Sequence, residues 1–329
     1  MLIATPNIAV DRIVRLPELR PGSVLRPSRA LVTAGGKGVN VGRTGAAFGH
    51  RATLVAFEPA ADASVLRRLV AAEPVGFVGV PVAGEVRVAT IYLEDSGRVT
   101  VLNEPGPEIT AEAWHRYEQA IAEELAGGRH ETLICTGSLP PGAPEDGYGR
   151  LVTIGQRAEV RVLVDAARAA LAGALLAGPD VVIPNLAEAE GVARGHADEP
   201  VADSDPEVAV RACAAVRELC RRGARAAAVT AGAAGCAFGD LDTAVWVPTV
   251  RAAVVNPIGA GDSFTAGLVE ALEAGRAGTD AVVFAVATAT ASVERERPGD
   301  VDPRRARQIA ARLAGTACSE RDLLARTEH

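Results

Sequence analysis

Short runs of apolar and β-branched residues alternate along the chain with stretches in which apolar positions recur every three or four residues. The runs at residues 2–5, 53–57, 132–136, 160–165, 180–184 and 226–230 are apolar at most positions, as in strands buried on both faces. Between them, residues 111–125, 144–156 and 206–222 carry the spacing of amphipathic helices. Strands of this kind joined by helices predict a mainly parallel sheet with helices on each side, a three-layer α/β/α domain. Two stretches break the alternation. Residues 11–33 and 85–102 read as extended chain, with turns at Pro21-Gly22 and Asp95-Ser96-Gly97. They predict a small β-sheet subdomain, a lid beside a core made of residues 1–10, 34–84 and 103–329.

Composition narrows the function classes. Aromatic residues make up 3% of the 329, so Ala, Val, Leu and Ile must supply the core. A net charge of -7 argues against nucleic acid or an anionic membrane as partner. The densest basic clusters, Arg221-Arg222 and Arg304-Arg305-Arg307, fall on predicted helices with acidic neighbours and read as solvated faces. The first residues read as a strand and not as a secretion signal, which predicts a cytoplasmic protein. Cysteines 135, 213, 220, 236 and 318 form no CxxC pair and read as buried thiols.

One compositional detail points to chemistry. Of 34 basic residues only Lys37 is a lysine, and it lies in Ala34-Gly35-Gly36-Lys37-Gly38-Val39-Asn40. A compact ammonium flanked by residues without side chains suits contact with an anion such as phosphate. A second glycine cluster, Gly259-Ala260-Gly261, passes into a helix, where outward N–H groups and the helix dipole make an anion hole. Asp262 comes directly after it, placed either to take a proton from a hydroxyl or to cap the helix. Neither cluster is a standard nucleotide motif. Gly38 succeeds Lys37 where a P-loop needs Ser or Thr, and Phe264 stands where a dinucleotide fingerprint needs glycine.

Taken together and in order, these segments resemble the PfkB (ribokinase-like) family of sugar kinases. The resemblance rests on Gly35-Gly36-Lys37-Gly38-Val39-Asn40-Val41-Gly42-Arg43, Thr136-Gly137-Ser138-Leu139-Pro140-Pro141-Gly142 and Pro184-Asn185-Leu186-Ala187-Glu188-Ala189-Glu190. It continues through Thr230-Ala231-Gly232-Ala233-Ala234-Gly235 and Gly259-Ala260-Gly261-Asp262-Ser263-Phe264-Thr265-Ala266-Gly267. The opening Asn7-Ile8-Ala9-Val10-Asp11 is similar to that of the subgroup containing 1-phosphofructokinase and tagatose-6-phosphate kinase.

The resemblance implies ATP-dependent phosphorylation of a sugar or sugar-phosphate hydroxyl. Asp262 would be the base, with the N–H groups of Gly259, Ala260 and Gly261 stabilising the phosphoryl group in flight. Asp11, Gly36, Lys37, Asn40, Arg87 and Ser138 would bind the substrate, with Arg87 on its resident phosphate. Thr230, Gly232, Gly235 and Asn185 would line the nucleotide. Asn185 and Glu188 would organise Mg²⁺ through water, although an Asn-x-x-Glu capping box fits the same spacing. A homodimer through the lid is also implied. A kinase of an unphosphorylated sugar or nucleoside, and a non-catalytic sugar-phosphate sensor, remain as alternatives.

Three segments depart from the family pattern. Pro257 stands where Thr is usual, residues 57–63 lack the expected glycines, and Asp165-Ala166-Ala167-Arg168 lacks the Ser-Gly of the phosphofructokinase subgroup.

Overall fold

The computed structural model describes residues 1–27, 29–194 and 207–327. The first half of the chain forms β1 (Leu2–Ala4), β2 (Ala9–Leu16), β3 (Arg29–Gly35), α1 (Lys37–Ala47), β4 (Ala52–Pro59), α2 (Ala63–Ala71) and β5 (Val75–Val82). It continues with β6 (Arg87–Glu94), β7 (Val99–Asn103), α3 (Ala111–Ala126), β8 (Thr132–Thr136), α4 (Gly147–Arg157), β9 (Arg161–Asp165) and α5 (Arg168–Leu176). The rest contains β10 (Val181–Val182), α6 (Leu186–Arg194), α7 (Val208–Arg221), β11 (Ala226–Thr230), β12 (Gly235–Gly239) and β13 (Ala244–Pro248). Helices α8 (Ala260–Glu273), α9 (Gly278–Ser292) and α10 (Pro303–Leu313), then β14 (Cys318–Ser319) and α11 (Glu320–Thr327), complete it.

Among the described residues the main sheet runs β14-β13-β12-β11-β10-β9-β8-β1-β4-β5. Strands β11 through β5 in that order pair parallel, and β12, β13 and β14 extend the sheet antiparallel. Alternation along each strand feeds two apolar layers. Leu2 and Ala4 of β1 pack with α3 to α7, whereas Ile3 packs with α1, α2, α8, α9 and α10. The scarce aromatics are shared between the layers, and three of them cluster in the first. Phe57 and Tyr117 lie 4.8 Å apart with Trp114 beside them, and the Tyr117 hydroxyl donates to the Val55 carbonyl at 2.8 Å. This is the ribokinase-like α/β fold.

Five expected elements are trimmed: the strands predicted over 2–5 and 160–165 each lose one end residue, and three others lose more. The helix predicted from 144 starts at Gly147, because a turn with Gly147 N–H on the Pro144 carbonyl (2.9 Å) precedes it. The strand predicted over 180–184 keeps only Val181–Val182, flanked by Asp180, whose carboxylate accepts the Val162 N–H, and by Pro184, close behind it, which has no N–H. The helix predicted from 206 begins at Val208, and residue 206 lies outside the described residues.

A separate sheet, ordered β3-β2-β6-β7, is built from the two stretches that break the alternation. Its strands also take in Ala9, Val10, Ala34, Gly35 and Asn103. Ile13 faces Leu31 on one neighbour and Ile91 on the other, and Ile91 faces Val101. These side chains, with Leu93 and Val99, form a small apolar cluster against which Ile258 of the main domain packs. Among the described residues no helix is long and apolar enough to cross a membrane.

Candidate active site

The chemistry-bearing segments meet at the carboxyl ends of the parallel strands, where ligands of open α/β sheets bind. Lys37 opens α1 behind Gly36, and Asp262 sits in the first turn of α8 behind Gly259. Asp165 ends β9, and Thr230 ends β11 with Asn185 bridged beside it.

Lys37 donates to Asp165 at 2.7 Å. Burial would lower its pKa, but Asp165, Asp262 and Glu188 outweigh that and hold the ammonium above its usual range. Its side chain is still 40% exposed, so the charge remains accessible. Asp165 is buried, and its second oxygen accepts the Thr136 hydroxyl at 3.1 Å. Sequence reading missed Asp165. The available signal was an Asp at the end of a parallel strand, obscured by the missing Ser-Gly beside it.

Asp262 is also buried and does not cap its helix. Gly259 is the N-cap, in the left-handed region at φ 84°, and the Asp262 carboxylate instead accepts the Asn40 amide at 2.8 Å. Burial pushes the Asp262 pKa up to about 7; the Lys37 charge pulls against this, and the Asp165 charge adds to it. A carboxylate is a base only when ionised. Activity resting on Asp262 should therefore be present above that pKa and lost as pH falls through about 7. Asp11, raised by burial to about 6 against the pull of Arg43 and Arg87, should steepen the loss below that value. A profile of kcat/KM between pH 5 and 9 checks this, since it reports groups of the free enzyme. A flat acid side would remove Asp262 from the base role.

The loop into α8 explains how Pro257 is tolerated. The Asn256 side chain accepts the Ile258 N–H at 3.0 Å and donates to the Glu296 carbonyl at 2.8 Å. The Pro257 carbonyl accepts the Ala260 N–H at 3.3 Å, closing a turn that needs no donor from residue 257. No atom lies within 4 Å of where a Gly261 side chain would begin, so the backbone there is open to a ligand.

On the other side, the buried Asp11 carboxylate lies against Gly35, where a Cβ would collide with it, and it receives the Gly36 N–H. Arg87, first in β6, donates through Nε to the Asn7 carbonyl at 2.9 Å; burial lowers its pKa, while Asp11 and Glu104 favour its charge. The Asn7 amide reaches the Ser138 hydroxyl at 3.0 Å, tying Ser138 to the same corner. Two groups thus emerge: Lys37, Asp165, Asp262 and Asn40 in one, and Asp11, Arg87, Asn7 and Ser138 in the other.

Asn185 and Glu188 do form the reciprocal capping box. Each backbone N–H meets the other's side-chain oxygen at 2.9 Å. Gly232 lies in the turn between β11 and β12, and Gly235 opens β12, its carbonyl accepting the Ala231 N–H at 2.8 Å. With Thr230, Gly261, Phe264 and Val286 they also line a cavity of ≈ 790 Å³. The apolar walls and the glycine-lined backbone suit a flat base with a phosphate tail.

The profile described as pfkB family carbohydrate kinase matches residues 3–305. The chain belongs to that family. It is accordingly a phosphotransferase with an alcohol group as acceptor. Among similar curated proteins, a 1-phosphofructokinase of Xanthomonas campestris is 31% identical over 278 residues, covering 82% of this chain and 83% of its own length. A 1-phosphofructokinase of Haloferax volcanii is 31% identical over 295 residues, covering 88% and 90%. Phosphofructokinase-2 of Escherichia coli, solved with fructose-6-phosphate, superposes with a TM-score of 0.81 at 25% identity, covering 95% of this pfkB kinase and 99% of that chain.

Proposed function

We propose that this pfkB kinase transfers the γ-phosphoryl group of ATP to a hydroxyl of a ketohexose phosphate, in the manner of a 1-phosphofructokinase or a tagatose-6-phosphate or 6-phosphofructokinase. The observation that carries this is the pair of cations in two separate groups, each beside its own carboxylate. Lys37 stands with Asp165 next to Asp262, and Arg87 stands near Asp11 on the small sheet. A neutral sugar would engage only the first; a resident phosphate gives the second a partner.

The chemistry follows from the arrangement. The acceptor hydroxyl lies against Asp262, which takes its proton as the oxygen bonds to the γ-phosphorus. The bond from that phosphorus to the bridging oxygen breaks, and its electron pair leaves on ADP. Lys37 and the backbone at Gly259 and Gly261 meet the charge on the moving group, where positioning and electrostatics carry most of the acceleration. Ala260 contributes less, because its N–H is turned toward Pro257. The nucleotide base occupies the cavity by Phe264, with its phosphates along Thr230, Gly232 and Gly235.

Asn185 and Glu188 offer oxygen donors, and the Glu188 charge is close enough to bear on Lys37, which fits Mg²⁺ held largely by water and phosphate. Among the described residues no cluster of three or more His, Cys, Asp or Glu side chains could hold a metal ion. Bound Mg²⁺ would neutralise phosphate charge. The small sheet would act as a lid that excludes water, and its outer face, with Val32 and Leu102 exposed, is the surface for a homodimer. The cytoplasm, where ATP is abundant, is the compartment this reaction fits.

ADP release should be measured with fructose 1-phosphate, fructose 6-phosphate, tagatose 6-phosphate, fructose and ribose. Turnover should favour a phosphorylated ketohexose. Arg87→Ala should raise KM for that substrate by roughly 10- to 100-fold, the worth of a charge-assisted contact, and leave a neutral sugar nearly unaffected. Equal turnover of fructose would remove the resident-phosphate role, and tight sugar-phosphate binding without turnover would favour a sensor.

A further inference from the structure

A buried guanidinium outside both groups touches both parts of the transfer apparatus. Arg43, one turn after Asn40 on α1, is 5% exposed. Its Nε donates to Glu73 at 3.0 Å, Nη2 to the Ala34 carbonyl at 3.1 Å, and Nη1 to Asn40 Oδ1 at 2.9 Å and to the Pro298 carbonyl. The Asn40 amide has one accepting and one donating end. With Oδ1 held by Arg43, Nδ2 must face Asp262, which it meets at 2.8 Å. The reverse orientation would set NH₂ against guanidinium and oxygen against carboxylate, so Arg43 fixes the amide's direction.

The second contact leads to the anion hole. The Pro298-Gly299 turn is seated on α1 by Arg43 and by Thr44, whose hydroxyl donates to the Gly299 carbonyl at 2.7 Å. A Cβ on Gly299 would lie 2.7 Å from Asn40 Cα, so the turn presses directly on the helix. Its other side supports Gly259, where a Cβ would come within 2.9 Å of Pro298 Cβ and 3.1 Å of the Gly299 nitrogen.

We propose that Arg43 is a positioning residue for phosphoryl transfer, aiming Asp262 through Asn40 and seating the Pro298-Gly299 turn behind the anion hole at Gly259. This deepens the sugar-phosphate kinase reading and rests on it. A planar fork with five donors can serve these partners at once, whereas a lysine can keep the charge opposite Glu73 but not the fan of contacts.

The full-length Arg43→Lys variant tests this. The groups acting on Asp262 are Lys37 and Asn40 from α1, Asp165 from β9 and Asp11 from β2; the substitution removes none of them and keeps the local charge, but releases the hold on the Asn40 amide. It should lower kcat by about 30- to 100-fold, as misplacement of reacting groups does, with both KM values within about threefold of wild type. The acid limb of kcat/KM, and the ¹³C carboxyl titration of Asp262 followed by NMR, should both move to higher pH, because the Asn40 donor no longer favours the ionised form.

Should Arg43→Lys fail to fold, Thr44→Val tests the turn, removing the Gly299 contact together with the 3.0 Å contact between the Thr44 and Ser263 hydroxyls. It should lower kcat about tenfold while the Asp262 titration stays in place. Wild-type kcat and an unmoved titration in Arg43→Lys, at whatever melting temperature, would overturn the proposal; so would wild-type kcat in Thr44→Val if the lysine variant does not fold. The NMR titration needs no turnover, so a wild-type protein inactive on every sugar phosphate would count against the functional reading and leave the Arg43 result decisive.

Discussion

Asp262→Asn should lower kcat by about 10³-fold, within the range of a lost general base, while ATP affinity stays within a few-fold of wild type. The carboxylate is buried, it is held by one amide donor at 2.8 Å, and its pKa of about 7 leaves it a competent proton acceptor in neutral solution. Asparagine keeps the shape but offers no group that can be protonated. Its amide would also place a nitrogen or an oxygen opposite the Asn40 donor, so one of its two orientations loses that bond. Single-turnover phosphoryl transfer and ATP titration separate the two effects. A variant retaining wild-type kcat would rule out Asp262 as the base.

Lys37→Met should cost about 10²- to 10³-fold in kcat, comparable to removing one preorganised donor from a transition-state site. The methionine keeps most of the stem but leaves Asp165 with only the Thr136 hydroxyl, so the melting temperature must be followed alongside. Lys37→Arg is the sharper comparison. Charge survives, yet the planar fork must fit between Asp165 and the glycines of the loop, where the chain has kept its single lysine. Turnover should fall about tenfold or more with little change in stability. Full activity in Lys37→Arg would reduce Lys37 to a point charge without geometric demands.

Much of this was legible in the sequence because apolar runs and glycine clusters record local requirements. The strands β8 and β11 and the helix α3 emerge directly from period and length. The two glycine loops mark where backbone must meet ligand. Partnerships across the chain left no such mark. Asp165 and Lys37 are 128 residues apart, and Asn40 and Asp262 are 222 apart, so their hydrogen bonds exist only once the sheet order is set. Asp262 as a helix cap and Asp262 as a base looked alike in sequence, because both place an Asp just after glycines. The left-handed Gly259 takes the cap position, which removes the cap reading. At Asn185 and Glu188 the capping box is real, and it leaves the proposed Mg²⁺ role standing beside it.

Ile258 belongs to two structures at once. Its side chain packs under the apolar face of the small sheet, and its backbone continues into Gly259. Whatever steadies that sheet over a sugar therefore also bears on the loop that receives a phosphoryl group. Such coupling is reciprocal by thermodynamic necessity. The factor by which a bound sugar phosphate changes the affinity for ATP must equal the factor by which ATP changes the affinity for the sugar phosphate, and Ile258 is one place where the two sites touch the same residue.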